Sequence, residues 1–208
     1  MRWTAQREVL PAQAAYEMWA HDYPPRPHNE LMRVEQDAVI ASLPPLSGLR
    51  VLDAGCGTGR YLHHVRALGA TAVGVDLSGA MLAQARKSAT GLARADLRAL
   101  PFAQGTMDVV ICALALGDVS ELDGCLAEMS RVLRPGGRLV YSVVHPSGGE
   151  RGWSRTFSIN GRSWSIESYW HTAVRHRDAC SAAGLTVRAW REPVLGGVPA
   201  ALVVCAER

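Results

Sequence analysis

Short apolar runs alternating with helical patterns constrain this chain more than any other feature it has. Residues 49–52 form an apolar run that feeds a cluster of glycines. Residues 60–68 follow with helical spacing and stop at Gly69, and residues 71–75 read as a strand ending at Asp76. Ser78 is placed to cap a helix running to Lys87. Two more strands are expected at 92–95 and 108–116. Leu122, Cys125, Leu126, Met129, Val132 and Leu133 then recur at intervals of three and four, with Ser120 as the expected cap and Pro135-Gly136-Gly137 as the stop. Residues 138–144 are the next strand. Such alternation builds a parallel sheet with helices on both faces, because parallel strands need a crossover between them. Residues 185–191 and 201–206 are separated by a short helix-free loop containing Gly196-Gly197, so they must be antiparallel. The expected fold is therefore α/β, a Rossmann-like sheet of seven mostly parallel strands whose last strand is antiparallel.

Both ends of this pattern carry additions. Residues 7–43 hold two helical patterns divided by Pro24, Pro25 and Pro27, the second marked by Leu31, Val34, Ala38 and Val39. They predict an N-terminal helical cap over residues 1–44, with the main domain over 45–208. Within that domain, residues 146–170 break the alternation. The segments 156–159 and 162–166 flank Asn160-Gly161, the signature of a hairpin with a two-residue primed turn, and its register sets Phe157 opposite Trp164. We expect this hairpin to be an insertion serving as a substrate lid, or to bury its rings against the domain or a second subunit as a homodimer.

A chain of 208 residues suits one domain with an appendage. Net charge is +3 and Lys87 is the single lysine, with the arginines scattered. No basic run tracks a phosphate backbone, so no nucleic-acid partner is expected. The five cysteines are odd in number and contain no CxxC, which predicts reduced thiols in a cytoplasmic protein. No apolar stretch has membrane-spanning length and the first residues do not read as a secretory signal, so no membrane partner is expected.

The chemistry centres on Val51-Leu52-Asp53-Ala54-Gly55-Cys56-Gly57-Thr58-Gly59. A strand feeding a glycine turn and then a helix lets backbone approach a ligand closely. Asp76 and Asp96 end the next two strands, where carboxylates can take ribose hydroxyls and an adenine amino group. A dinucleotide site would want a small residue where this chain has Arg60, and Asp53 would repel a pyrophosphate. No GK[ST] follows, so a P-loop is excluded. The loop suits an adenosine that carries a cationic amino acid.

These residues, with GVDLS, ARADLRALPF, MDVVICALALGD and EMSRVLRPGGRLVYS at their intervals, resemble the class I S-adenosylmethionine-dependent methyltransferases. The likeness is to the small-molecule branch that includes ubiquinone and menaquinone biosynthesis enzymes. It implies S-adenosylmethionine as cofactor, S-adenosylhomocysteine as product, and methyl transfer to O, N or C of a small, apolar or aromatic metabolite. By that resemblance Gly55 and Gly57 would cradle the methionine part, with Cys56 a small filler between them and Asp53 near the amino group. Asp76 would hold the ribose, Leu77 and Met81 would pack on the adenine, and Asp96 with Leu97 would read its edge. Ala113 and Leu114 would line the other side, and Tyr16 and Tyr23, near Trp19, would close over the cofactor. Many relatives carry His-His where this chain has Gly117-Asp118, so no substrate role transfers to that point.

Candidate general bases are His145 and His171, whereas His63, His64 and His176 fall on helical patterns and are expected at the surface. No metal site is expected. Two alternatives stand beside the enzyme of small molecules: a nucleic-acid or protein methyltransferase, and a non-catalytic regulator that keeps the cofactor pocket.

Overall fold

The computed structural model describes residues 7–87, 89 and 91–208, so the first six residues of the expected cap lie outside the described residues. The chain opens with strand β1 (Glu8–Leu10) and helices α1 (Ala12–Trp19) and α2 (Glu30–Ile40). Then come β2 (Arg50–Ala54), α3 (Arg60–Ala67), β3 (Thr71–Asp76), α4 (Gly79–Ala85), β4 (Leu92–Arg94) and β5 (Met107–Ala113). Helix α5 (Leu122–Val132) leads into β6 (Leu133–Val144). The hairpin β7 (Arg155–Ile159) and β8 (Arg162–Ile166) precedes α6 (Ala173–Ala182) and β9 (Thr186–Arg191). A small ladder of β10 (Val194–Leu195) with β11 (Val198–Pro199) precedes the last strand, β12 (Ala201–Glu207).

Seven strands make the main sheet in the order β4-β3-β2-β5-β6-β12-β9. Strand β12 runs antiparallel to both its neighbours, and the other pairings are parallel. This is the Rossmann-like sheet with an antiparallel final strand that the sequence implies. Period-two alternation divides its side chains between two cores. Leu52, Val110, Leu139, Tyr141 and Val204 pack with α5 and α6 on one face. Val51, Val109, Ile111, Val140 and Val203 pack with α2 and α3 on the other. Strands covered on both sides are apolar at nearly every position, which is why these runs stood out.

Local signals hold where they are self-contained. Ser78 Oγ accepts from Met81 N at 3.1 Å and caps α4 as expected. Asn160 and Gly161 have φ of 50° and 77°, the primed turn, and Phe157 pairs with Trp164 at a ring distance of 5.5 Å. Ser120 does not cap α5. Glu121 occupies that position without a side-chain capping bond, because its carboxylate is drawn to Arg98 Nη1 at 2.9 Å. Residues 114–116, expected as the end of a strand, leave the sheet, and 116–118 form a single 3₁₀ turn.

The largest departure lies at the N-terminus. Residues 8–10 are a strand, paired in parallel with β8 so that Leu10 faces Ile166. With α1 they join the hairpin in a third core, where Ala15, Phe157, Trp164 and Ile166 are buried against Leu10 and Trp19. So β1 and α1 belong with the hairpin, while α2 belongs with the main sheet. Phe157→Ala removes the ring stacked on both Trp19 and Trp164 and is expected to weaken this unit by about 3 kcal/mol. Amide hydrogen exchange would show it as roughly 100-fold faster exchange over 155–166 with the central strands unchanged.

Candidate functional site

A cavity of about 740 Å³ opens at the carboxyl ends of β2, β3 and β5, beneath the unit built from α1 and the hairpin. Open α/β sheets bind ligands at this edge. Its floor is the glycine loop. Gly55 and Cys56 both donate backbone N–H to Val75 O, at 2.8 and 2.9 Å, which folds the loop back over β3. Gly55 has φ +76°, and a Cβ there would sit 2.6 Å from Ala115 Cβ, so only glycine fits. A Cβ on Gly57 would meet nothing within 4 Å, leaving its backbone open to a ligand.

The three strand-end carboxylates are held differently. Asp53 is 1% exposed, and its Oδ2 has no hydrogen-bond partner among the described residues. Burial pushes its carboxyl up to about 7, against the pull of the nearby Arg60 guanidinium. Asp76 Oδ2 accepts Gly57 N–H at 2.7 Å and Oδ1 accepts Ser78 N–H at 2.8 Å. Burial raises its pKa, and those backbone donors oppose the rise. Asp96 is gripped by Arg98, with Nη2 to Oδ2 at 2.7 Å, and this bonding lowers its pKa. An unpartnered buried carboxyl oxygen at the mouth of a glycine cradle matches a cationic group on the ligand; the neighbouring Asp76 offers a negative acceptor for hydroxyls.

All thirteen residues expected at the cofactor line this cavity: Asp53, Gly55, Cys56 and Gly57 on its floor, Asp76, Leu77 and Met81 after β3, Asp96 and Leu97 after β4, Ala113 and Leu114 after β5, and Tyr16 and Tyr23 above. Leu114 stands at φ +57°, and its N–H is fastened to Ser142 O and Oγ at 2.9 and 3.0 Å. The two candidate bases do not join them. His145 turns away to Ser147, with Nδ1 and Oγ 2.8 Å apart, and to Glu192. His171 Nε2 donates to Val119 O at 2.8 Å and lines only a cleft of about 20 Å³ behind the cavity. Nor is His176 at the surface. It is 1% exposed against Tyr141, and burial pushes its pKa down to about 4. The aromatic residues between 153 and 170 divide: Trp153, Tyr169 and Trp170 face the cavity, whereas Phe157 and Trp164 are in the core beside it.

Sequence reasoning missed the polar groups that fix these walls. Glu35 is fully buried on α2, where its Oε1 accepts Tyr61 Oη–H at 3.0 Å and Ser142 Oγ–H at 2.6 Å. Its Oε2 takes Arg60 Nη2 at 3.1 Å. One carboxylate thus ties α2, the glycine-loop helix and β6 together. A glutamate between Met32 and Val39 on the buried face of α2 was the signal available for it. At the other end of the cavity Arg155 pairs with Asp118 and donates to Tyr16 Oη at 3.2 Å. Glu17 closes the arrangement by accepting Gly79 N–H at 2.7 Å and Ala80 N–H at 3.1 Å, fixing α1 to the start of α4.

Comparison with known proteins places this geometry. Residues 52–141 match the family described as methyltransferase domain. The chain is 40% identical to a malonyl-[acyl-carrier protein] O-methyltransferase of Enterobacter lignolyticus, over 56% of this chain and 47% of that protein. It is 39% identical to a demethylmenaquinone methyltransferase of a Parafrankia species, over 52% of each. The chain thus spans about half the length of the curated relatives it matches. Among solved structures, an S-adenosylmethionine-dependent methyltransferase from Mesorhizobium loti superposes with a TM-score of 0.72 at 28% identity, over 84% of this chain and 98% of that one.

The Glu35 junction makes a stability prediction. Glu35→Leu strands the Arg60 guanidinium beside an apolar face and is expected to cost about 3 kcal/mol in urea unfolding. Adding Arg60→Met should recover part of that loss, because it removes the unpaired charge while the Tyr61 and Ser142 hydroxyls still lack their acceptor.

Proposed function

We propose that the chain, whose residues 52–141 match a methyltransferase domain, is an S-adenosylmethionine-dependent methyltransferase that methylates O, N or C of a small molecule with an apolar or aromatic body. The observation that carries the reading is the orphaned Asp53 Oδ2 beside the open Gly57 backbone, in a cavity large enough for more than a nucleoside. Those residues fit the cofactor: Asp53 meets its ammonium, Gly55 and Gly57 admit its amino acid chain, and Asp76 receives its ribose hydroxyls. Leu77 and Met81 pack on the base, and Asp96, braced by Arg98, faces its amino edge. Bound there, S-adenosylmethionine supplies a methyl group activated by sulfonium.

What remains for the protein is placement. Holding an acceptor atom in line with that methyl group, in a site closed to water, is worth up to roughly 7–11 kcal/mol of barrier. Trp153, Tyr169 and Trp170 supply flat apolar walls for the acceptor, and the α1–hairpin unit shuts out solvent. A base is needed only when the acceptor must lose a proton, so the withdrawal of His145 and His171 leaves placement intact. The relatives are named for malonyl-[acyl-carrier protein] and for demethylmenaquinone, which favours neither a nucleic acid nor a non-catalytic role. The five buried free thiols agree with a reducing, cytoplasmic setting, and no helix among the described residues is long and apolar enough to cross a membrane.

Incubation with S-adenosylmethionine and a panel of metabolites should give products heavier by one methyl group together with S-adenosylhomocysteine. No turnover across acids, phenols, amines and quinols would remove the proposal. Asp76→Ala is expected to weaken S-adenosylhomocysteine binding by about 2 kcal/mol, because buried hydroxyls lose a charged acceptor; calorimetry measures it. Asp53 adds a pH signature. Its carboxyl titrates near 7 in the folded chain and near 3.8 when free. It therefore favours folding below pH 4, and that contribution fades as pH rises to 7. An arriving ammonium favours the ionised form, so S-adenosylhomocysteine binding at pH 6.5 should release roughly half a proton or more. Calorimetry in buffers of different ionisation enthalpy reads the release, and Asp53→Asn should abolish it.

A further inference from the structure

The acceptor end of the cavity contains one carboxylate that the cofactor assignment leaves unused. Asp118 lines the cavity just after β5, and its side chain is 12% exposed. Its Oδ1 is buried with no partner besides Arg155 Nη2, and no hydrogen bond to its Oδ2 is found among the described residues. Arg155 comes from the hairpin and is firmly held. Its Nε and Nη2 both donate to Ser168 Oγ at 3.2 Å, Nη2 also approaches Glu167 O, and Nη1 donates to Tyr16 Oη at 3.2 Å. Tyr16 keeps its proton, since burial raises its pKa, and so it acts as a donor here. The pair is neutral as a whole and presents one acceptor, Asp118 Oδ2, beside the donors Arg155 Nη1 and Tyr16 Oη.

We propose that Asp118 and Arg155 form the acceptor subsite for a hydroxyl nucleophile, a phenol or enol whose proton passes to Asp118 Oδ2 while Arg155 and Tyr16 hold its oxygen. This deepens the methyl-transfer reading and rests on it. The polarity of the pair selects the class. A carboxylate acceptor would have to displace Asp118 from Arg155, and an ammonium would be repelled by Arg155. A hydroxyl donates to one partner and accepts from the other. In the step, the O–H bond breaks and its proton goes to Asp118, the oxygen pair forms the new C–O bond, and the C–S bond electrons remain on a neutral thioether. Proton removal of this kind is worth about 100-fold to 10,000-fold in rate. Walls of Trp153, Tyr169 and Trp170 suit an aromatic ring bearing that hydroxyl.

The test uses the full chain loaded with S-adenosylhomocysteine, with 4-methylphenol and its methyl ether as probes in calorimetry. The wild type should bind the phenol at least tenfold tighter than the ether, which has no proton to give. In Asp118→Asn the amide oxygen turns to Arg155 and sets an NH₂ where the hydroxyl must donate, so the preference should vanish. Single-turnover methylation of the phenol should fall about 100-fold or more with S-adenosylhomocysteine affinity within about twofold. Equal wild-type binding of phenol and ether overturns the proposal, and so does a variant that keeps both preference and rate. Carboxylates or amines turned over in preference to phenols overturn it as well. Failure of the wild type to bind S-adenosylhomocysteine removes the methyl-transfer reading itself, and this inference with it.

Discussion

Central strands covered on both faces force the chemistry of this chain to one edge. Residues 51–52, 109–112 and 139–141 have helices above and below, so a polar side chain there would need a partner inside the protein. At the carboxyl ends, loops replace helices, and the polar residues crowd there: Asp53, Asp76, Asp96 and Asp118 each stand at or just beyond a strand end. Backbone N–H groups of Gly57 and Ser78 satisfy Asp76 in place, so the carboxylate is aimed before any ligand arrives. Asp53 has less of that support, and burial outweighs the pull of Arg60, which is why its carboxyl is pushed up to about 7. A site that keeps one carboxyl unsatisfied discriminates by charge: a cation relieves the penalty, and a phosphate adds to it.

Buried Glu35 shows how the loop is kept in shape. It collects hydrogen bonds from Arg60 and Tyr61 on α3, the helix that follows the glycine turn, and from Ser142 on β6. A buried ion pair seldom stabilises more than an apolar replacement of equal volume. Its contribution here is direction. Arg60 is drawn towards α2, and Ser142 accepts one constraint from Glu35 while receiving the Leu114 N–H that holds the strained turn after β5. The glycine floor and the acceptor wall are thus linked through Ser142 on β6.

Signals confined to neighbouring residues were legible in the sequence. Alternating apolar runs located the seven strands, Asn160-Gly161 located the hairpin, and the glycine loop with two later aspartates located the cavity floor. Interactions between distant residues were not. Strand β1 has three residues and no pattern of its own; it exists because β8, more than 150 residues later, offers it an edge. His176 sits on a helix with weak amphipathic character, and only the approach of Tyr141 from the sheet buries it. His145 and His171 occupy the loops where bases are expected, but local capping by Ser147 and a bond to Val119 O turn them aside. Arg155 could not be matched to Asp118 from spacing, since the two meet only once the hairpin folds back over β5.

That folding back explains a division of labour. Most groups proposed to grip the cofactor lie at the edge of the main sheet, where burial on both faces allows little change. Groups proposed to face the acceptor, among them Arg155, Trp153 and Tyr16, lie on or beside the α1–hairpin unit, which has a separate small core. A change in that unit alters which acceptor fits without disturbing the glycine loop. The two parts meet through directional polar contacts, Glu17 to the start of α4 and Arg155 to Asp118. Such contacts are worth about 1–3 kcal/mol each, so the hold of the unit on the cavity edge rests on a few named bonds that substitution removes one at a time.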